Sequence, residues 1–338
     1  MRAPLATARA AAAALAALTA LAAPPAPQST GAEFAPHLGE LPLGLARELA
    51  EPEGNAFDAR RWELGRRLFF DALLSRDGTI ACASCHRPEL FFADDRPFSA
   101  GVGGARTRRN APSLFNRGFG SELMWDGRAP TLEAQVLLPI EDEVEMGLPL
   151  DELLARLAAH GEYPALFAAA FDDGLTRDNL ARALAQFVRR LVLGDSPVDR
   201  FRAADAAALD PEARVGLWVY ESKGRCWRCH SGPNFSDEGY HSTGVGVHDG
   251  AAEPGRAAVT GDPADRGRFK TPSLRGVART APYMHDGSIA TLAEVVEFYR
   301  KGGVAHAERD ALLEPLELTS REAAALVAFL EALSRPAP

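Results

Sequence analysis

Every cysteine in this 338-residue chain falls in one of two like-spaced signatures, Cys82-Ala83-Ser84-Cys85-His86 and Cys226-Trp227-Arg228-Cys229-His230. Two thiols three positions apart on a helical turn reach the two vinyl groups of one porphyrin. The histidine that follows lies under the iron as its proximal ligand. The spacing predicts two covalently attached c-type haems, one held by Cys82, Cys85 and His86, the other by Cys226, Cys229 and His230. A redox dithiol, or zinc bound by two C-x-x-C pairs, needs no histidine directly after the second cysteine, and here both copies have one.

With 46% apolar and 25% charged residues the composition is that of a globular chain, which excludes a disordered chain, a collagen and a multi-span membrane protein. Asp and Glu outnumber Lys and Arg by 46 to 37, a formal charge of −9. Nucleic-acid binding needs a basic surface, so no nucleic-acid partner is expected. Residues 1–22 read as a secretory signal peptide: Arg2 and Arg9 precede an apolar run from Ala10 to Ala23, with a small-x-small site at Ala20-Leu21-Ala22. The run is too short to span a bilayer core of ~30 Å. Residues 23–40 read as a loose leader, and no later segment looks like a membrane span. Export agrees with haem attachment outside the cytoplasm, and the expected location is the periplasm.

The chain repeats itself. Pro112-Ser-Leu, Met124-x-Asp-Gly, Thr131-Leu and Val136 recur without a gap at Pro272-Ser-Leu, Met284-x-Asp-Gly, Thr291-Leu and Val296, a constant offset of 160 residues. The two proximal histidines are 144 residues apart (86 to 230). This pattern predicts one haem domain duplicated. The fold class is all-α, with two cytochrome c-like domains in tandem over 41–195 and 205–338, their haems facing a domain interface. The last helix has the option of packing back on the first domain. Apolar spacing predicts helices at Trp62–Phe70, Leu150–Ala158, Tyr163–Phe171, Asn179–Val192, Glu212–Ser222 and Ser320–Ser334. Thr131 and Thr291 read as helix caps, the second in a capping box with Glu294. Gly-rich residues 231–268 read as a long loop near the second haem.

The halves differ where an iron ligand is due. The repeat aligns Trp125 with His285, Gln135 with Val295 and Pro139 with Tyr299. Tyr299 lies two helical turns beyond its cap and can offer a phenolate to the second iron. Proline cannot ligate, so the first iron keeps an open face. Met284 is the competing ligand. Its counterpart Met124 would make both haems Met-capped and the protein an electron carrier. His37, His160, His241, His248 and His306 read as surface or loop residues, and Arg106–Arg109 as solvent-exposed.

These residues resemble the bacterial di-haem cytochrome c peroxidase family, in its MauG-like branch. The motifs are the two pentads, Arg109-Asn-Ala-Pro-Ser113, Trp125-Asp-Gly-Arg128, Pro139, Glu145-Met146, Thr280-Ala-Pro-Tyr283 and His285-Asp-Gly-Ser288. The resemblance implies a peroxide-reactive N-terminal haem and an electron-transfer C-terminal haem. It places Gln135, Pro139 and Glu145 in the distal pocket and Trp125 between the haems. It also implies one calcium ion held by Asn110 and the carbonyls of Thr280 and Pro282. Glu145 is then the general acid–base for peroxide cleavage. Standard peroxidases carry Met where this chain has Tyr299. Many also carry a histidine in the loop after the first haem, and here Arg87–Arg109 has none. That departure points to a ferric site ready without reductive activation. Three functions remain open: a periplasmic peroxidase supplied by a small cytochrome c or cupredoxin, a MauG-like oxidase acting on a partner protein, and a non-catalytic di-haem carrier. The sequence leaves the chain a monomer or a homodimer.

Overall fold

The computed structural model describes residues 36–37, 40–45, 48–247 and 250–334. The signal peptide and most of the leader lie outside the described residues. Twelve α-helices are present among those described, with one two-stranded ribbon. In chain order they are α1 (Ala59–Phe69), α2 (Cys82–Cys85), α3 (Leu132–Gln135), α4 (Leu138–Glu141), α5 (Leu150–Ala158), α6 (Tyr163–Ala170), α7 (Arg177–Arg189), α8 (Pro197–Arg202) and α9 (Pro211–Glu221). The ribbon pairs β1 (Tyr240–His241) antiparallel with β2 (Phe269–Lys270), and α10 (Ala257–Thr260), α11 (Leu292–Arg300) and α12 (Ser320–Ala332) complete the set.

Capping residues explain where the long helices begin. Asp58 accepts from the amides of Arg60 and Arg61 at the start of α1, and Thr176 accepts from Asn179 at the start of α7. Thr291 with Glu294, and Thr319 with Glu322, form reciprocal capping boxes at α11 and α12. Two buried clusters gather behind these helices. One runs from Trp62 to Leu191 and the other from Val198 to Leu333.

In each cluster the helix that precedes a haem pentad crosses a later helix at a glycine. A Cβ on Gly65 of α1 would lie 1.8 Å from the Ala183 carbonyl oxygen of α7. On Gly216 of α9 it would lie 1.9 Å from the Ala325 carbonyl oxygen of α12. Only glycine allows backbones to approach that closely. The last helix, α12, therefore packs on α9 in the second cluster.

The 160-residue repeat is visible in the backbone. Leu123 bridges Ala129 as Tyr283 bridges Ile289. Met124 and Met284 both take a left-handed φ, 71° and 75°, and the amides of Gly127 and Gly287 donate to their carbonyls at 3.2 Å each. After the cap the copies part. In the second, α11 runs unbroken through Tyr299. In the first, α3 stops at Gln135 and α4 restarts at Leu138, with Pro139 in its first turn. Proline has no amide hydrogen to continue the ladder, so it is accepted where a helix begins. The segment 231–268 is mainly loop, interrupted by β1 and α10.

The segments around the two pentads are tied together. The Asn110 amide donates to the His285 carbonyl at 2.8 Å, and the Lys270 amide to the Trp125 carbonyl at 2.8 Å. Arg117 pairs with Glu238, and Arg256 with Glu122. Beneath them Arg275 binds Asp199 at 2.7 Å, both side chains 2% exposed, and donates to the Gly44 carbonyl.

Candidate active site

Each pentad forms one tight turn. The amides of His86 and His230 donate to the carbonyls of Cys82 and Cys226, both at 2.9 Å. Ring Nδ1 of His86 lies 3.0 Å from the Phe92 carbonyl, and that of His230 lies 3.0 Å from the Phe235 carbonyl. A carbonyl oxygen only accepts, so each Nδ1 carries the proton and each Nε2 keeps a free lone pair. Burial holds both imidazoles below their ordinary pKa, which favours the neutral, ligating form.

None of the four cysteines is paired in a disulfide. Burial pushes Cys82 and Cys226 up to about 12 and Cys85 up to about 11. A redox dithiol works with a lowered thiol pKa, so this environment is wrong for one. Nor do the four sulfurs converge. Among the described residues the one cluster of ligand atoms within 4.8 Å is Cys229, Asp237 and His241. Paired thiols, a lone pair on the following imidazole and apolar walls fit a covalently held porphyrin at each pentad.

A cavity of about 380 Å³ opens beside the first pentad. Cys85, His86, Trp125, Gln135, Pro139 and Glu145 all line it. A smaller adjoining space of about 70 Å³ shares His86, Gln135, Pro139 and Glu145 and is closed by Cys82. The broken helix α3–α4 brings Gln135 and Pro139 to the wall. The turn after α4 brings Glu145. Burial first, then the Asp142 carboxylate, raises the Glu145 pKa, and Arg128 and Arg108 pull it back only in part. Gln135 turns its amide nitrogen towards the Met124 sulfur at 3.7 Å.

Asn110, Thr280 and Pro282 line the same cavity. Asn110 is buried, and its amide nitrogen donates to the Arg96 carbonyl at 3.0 Å. Trp125 donates from Nε1 to the Asn110 carbonyl and meets the edge of His285, ring centroids 6.4 Å apart. His285 is itself buried, stacked on Phe269 at 3.6 Å and bonded to Glu253. Arg109 pairs with that glutamate, and Arg108 with Asp142. Both arginines line the cavity; Arg108 is exposed, as expected for Arg106–Arg109, while Arg109 is half-buried against Glu253.

At the second pentad, Tyr299 projects from α11. Burial, then the nearby Cys229 and Cys226, push its phenol well above the ordinary value. Met284 instead lines the cavity beside the first pentad. Two of the histidines read as surface or loop residues are engaged by partners. His241 sits between Asp310 (2.6 Å) and Asp237 (3.0 Å). The His306 side chain is 1% exposed and contacts Ser242 and Glu308. The loop composition around them hides this burial. His248 lies outside the described residues. Asp142 and Arg108 carry no sequence signal as site residues except that Asp142 stands where a turn begins.

The sequence pattern of the di-haem cytochrome c peroxidase family matches residues 59–207. The methylamine utilization protein MauG of Methylorubrum extorquens is 37% identical over 284 residues, 83% of this chain and 80% of that protein. The cytochrome-c peroxidase IdrP2 of Denitromonas iodatirespirans is 36% identical, covering 86% of each chain. The crystal structure of a MauG-like protein associated with microbial copper homeostasis superposes with a TM-score of 0.78 at 35% identity, over 88% of this chain and 94% of that one.

Proposed function

The chain belongs to the di-haem cytochrome c peroxidase family, and we propose that it reduces hydrogen peroxide at its N-terminal haem with electrons relayed through a His- and Tyr-ligated C-terminal haem. It is an oxidoreductase of the peroxidase type. Haem bound at the two pentads supplies the iron redox chemistry that divides the peroxide O–O bond. The residues of this chain supply the rest.

His86 and His230 present Nε2 because their Nδ1 protons are engaged by backbone carbonyls. Pro139 offers no donor atom and so leaves the first site's far face to substrate. Glu145 stands on the same cavity with a raised proton affinity, suited to take a proton from one peroxide oxygen and give it to the other. Gln135 borders the same space. Trp125, fixed at its indole nitrogen and set against residues of both halves, is the relay. Tyr299 would hold the second iron: its phenol adjoins Cys226 and Cys229, whereas Met284 lines the cavity beside the first pentad. Asn110, with its amide nitrogen spent on a carbonyl, has its amide oxygen left for a calcium ion, joined by the carbonyls of Thr280 and Pro282.

Carrying this reading is the convergence of Glu145, Gln135 and Pro139 on one cavity with His86. The expected setting is the periplasm, with a small cytochrome c or cupredoxin as donor. Among the described residues no helix is long and apolar enough to cross a membrane.

The experiment is electron paramagnetic resonance of the ferric protein, then peroxide with and without reduced cytochrome c. One high-spin and one low-spin signal, with fast turnover, is the expected result. Two low-spin haems would point to a carrier ligated by Met124 and Met284. A long-lived oxidised state without turnover would favour a MauG-type oxidase acting on a partner protein, the reading that Tyr299 supports.

A further inference from the structure

Asp142 is the hub of the turn that carries Glu145. It ends α4, its own amide donating to Leu138. Its carbonyl accepts from the amides of Glu145 at 3.0 Å and Gly147 at 2.9 Å. Its Oδ1 accepts from the Val144 amide at 3.0 Å, and its Oδ2 takes Nη1 of Arg108 at 2.5 Å. No acceptor of this residue is idle, and all but one hold the six-residue turn from Asp142 to Gly147.

The remaining one reaches 34 positions back, to the segment after the first pentad. That segment grips Glu145 from its other side. The Val102 amide donates to the Glu145 carbonyl at 2.8 Å. A Cβ on Gly101 would lie 2.0 Å from the Val144 carbonyl oxygen, so the two strands of chain are in full contact. Arg108 is 63% exposed and Asp142 22%. The ion pair is thus a clasp closed over the turn from the solvent side.

We propose that Asp142, clasped by Arg108, is the positioning residue for Glu145: it builds the turn that sets Glu145 on the cavity wall and supplies the charge against which Glu145 exchanges its proton. The inference rests on Glu145 as the acid–base of the proposed reaction and adds the pair that governs it. The charged and titratable groups facing Glu145 are Asp142, Arg108, Arg128, Cys82 and Cys85. Arg128 is partnered by Asp126 at 2.6 Å. With haem attached both sulfurs are thioethers and do not ionise. Asp142 and Arg108 are the ion pair at the turn itself, and they act on Glu145 with opposite sign. The carboxylate makes ionising Glu145 harder, and the guanidinium makes it easier.

Opposite signs give the test. A scaffold that only needs its clasp is disturbed alike by losing either half. A charge pair is not. In the holoprotein, the Glu145 carboxyl is followed by pH-difference infrared spectroscopy, its band identified by its loss in Glu145→Gln. The peroxide reaction is timed in parallel by stopped flow. Asp142→Asn keeps the acceptor for Val144 and should move the titration to lower pH. Arg108→Gln should move it to higher pH, and Arg108→Lys should restore it. Arg108 lies at the surface, so its variant reports even where Asp142→Asn fails to fold. Shifts in the same direction, or none in Arg108→Gln, overturn the proposal. Opposed infrared shifts that the rates ignore leave the clasp standing and remove Glu145 from the reaction.

Discussion

The indole Nε1 of Trp125 donates to the backbone carbonyl of Asn110 at 2.9 Å, and the amide of the same asparagine donates to the carbonyl of His285. One residue thus joins the two repeat-equivalent rings, Trp125 and His285, across the halves. Trp125→Phe keeps an aromatic ring but loses the indole N–H, its bond and part of the packing. A neutral hydrogen bond contributes about 0.5–1.5 kcal/mol, with a further loss for the smaller ring, so unfolding of the holoprotein should shift by a few kcal/mol at most. Electron exchange between the haems, followed by flash reduction of one and the rise of the other, should slow far more than the stability change suggests. Exchange at the wild-type rate would leave Trp125 a packing residue.

Glu145→Gln should keep both haems attached and slow the reaction with peroxide by about 10²–10⁴-fold, the usual worth of a general acid–base. The sign of the pH dependence follows from its raised pKa. The group works as a base first, so it must be ionised. Activity should fall as pH drops through a point above the ordinary carboxylate range, and this limb should vanish in Glu145→Gln. Stopped-flow rates at a series of pH values check both statements.

Tyr299→Phe removes the phenol oxygen and little else. The phenolate-to-iron charge-transfer band and its resonance Raman modes should disappear, while both haems stay bound through their cysteines. Because burial raises this phenol, it ionises only with a metal to hold the anion. Met284→Leu should leave the spectrum unchanged. The reverse pair of outcomes would reassign the ligand.

Helix α11 shows what the sequence carries well. Its cap, its capping box and its apolar face are all local, as they are for α12, whose start at Ser320 follows directly from Thr319 and Glu322. The repeat also survives intact in the turns at Met124 and Met284. The break between α3 and α4 is harder to read, because Pro139 signals only that the ladder stops and not where the chain turns next. Least legible are residues whose partners are remote. Within Glu141-Asp-Glu-Val-Glu145 every carboxylate has the same local chemistry. The arrival of Arg108 at Asp142 and of Val102 at the Glu145 carbonyl, both from a distant loop, separates these two from their neighbours. His306 is similar: its side chain meets Ser242, 64 positions away.

Asp199 and Arg275 form the most enclosed ion pair between the segments, and Asp199 also accepts from the amide and hydroxyl of Ser196 at the start of α8. Removing one partner strands the other charge in a dry site, a loss of about 3–5 kcal/mol. Asp199→Ala should therefore lower the unfolding free energy of the holoprotein, read from urea titration, by that much. The exposed pair Arg202–Glu221, broken by Glu221→Ala, should cost under about 1 kcal/mol. Equal effects from the two would mean that Asp199 is not the buried anchor described.

Calcium should be present in stoichiometric amount in protein purified without chelator, as read by elemental analysis. Asn110, Thr280 and Pro282 offer neutral oxygens only, so the affinity should be modest and prolonged chelation should remove the ion. The asparagine that would ligate it also receives the Trp125 indole on its carbonyl. Loss of the ion should therefore change Trp125 fluorescence and slow haem-to-haem exchange together, and added calcium should restore both. Asn110→Ala should mimic the chelated protein and resist rescue. Metal-free protein with a full exchange rate would remove the ion from the site and leave Asn110 as a hydrogen-bonded link between the halves.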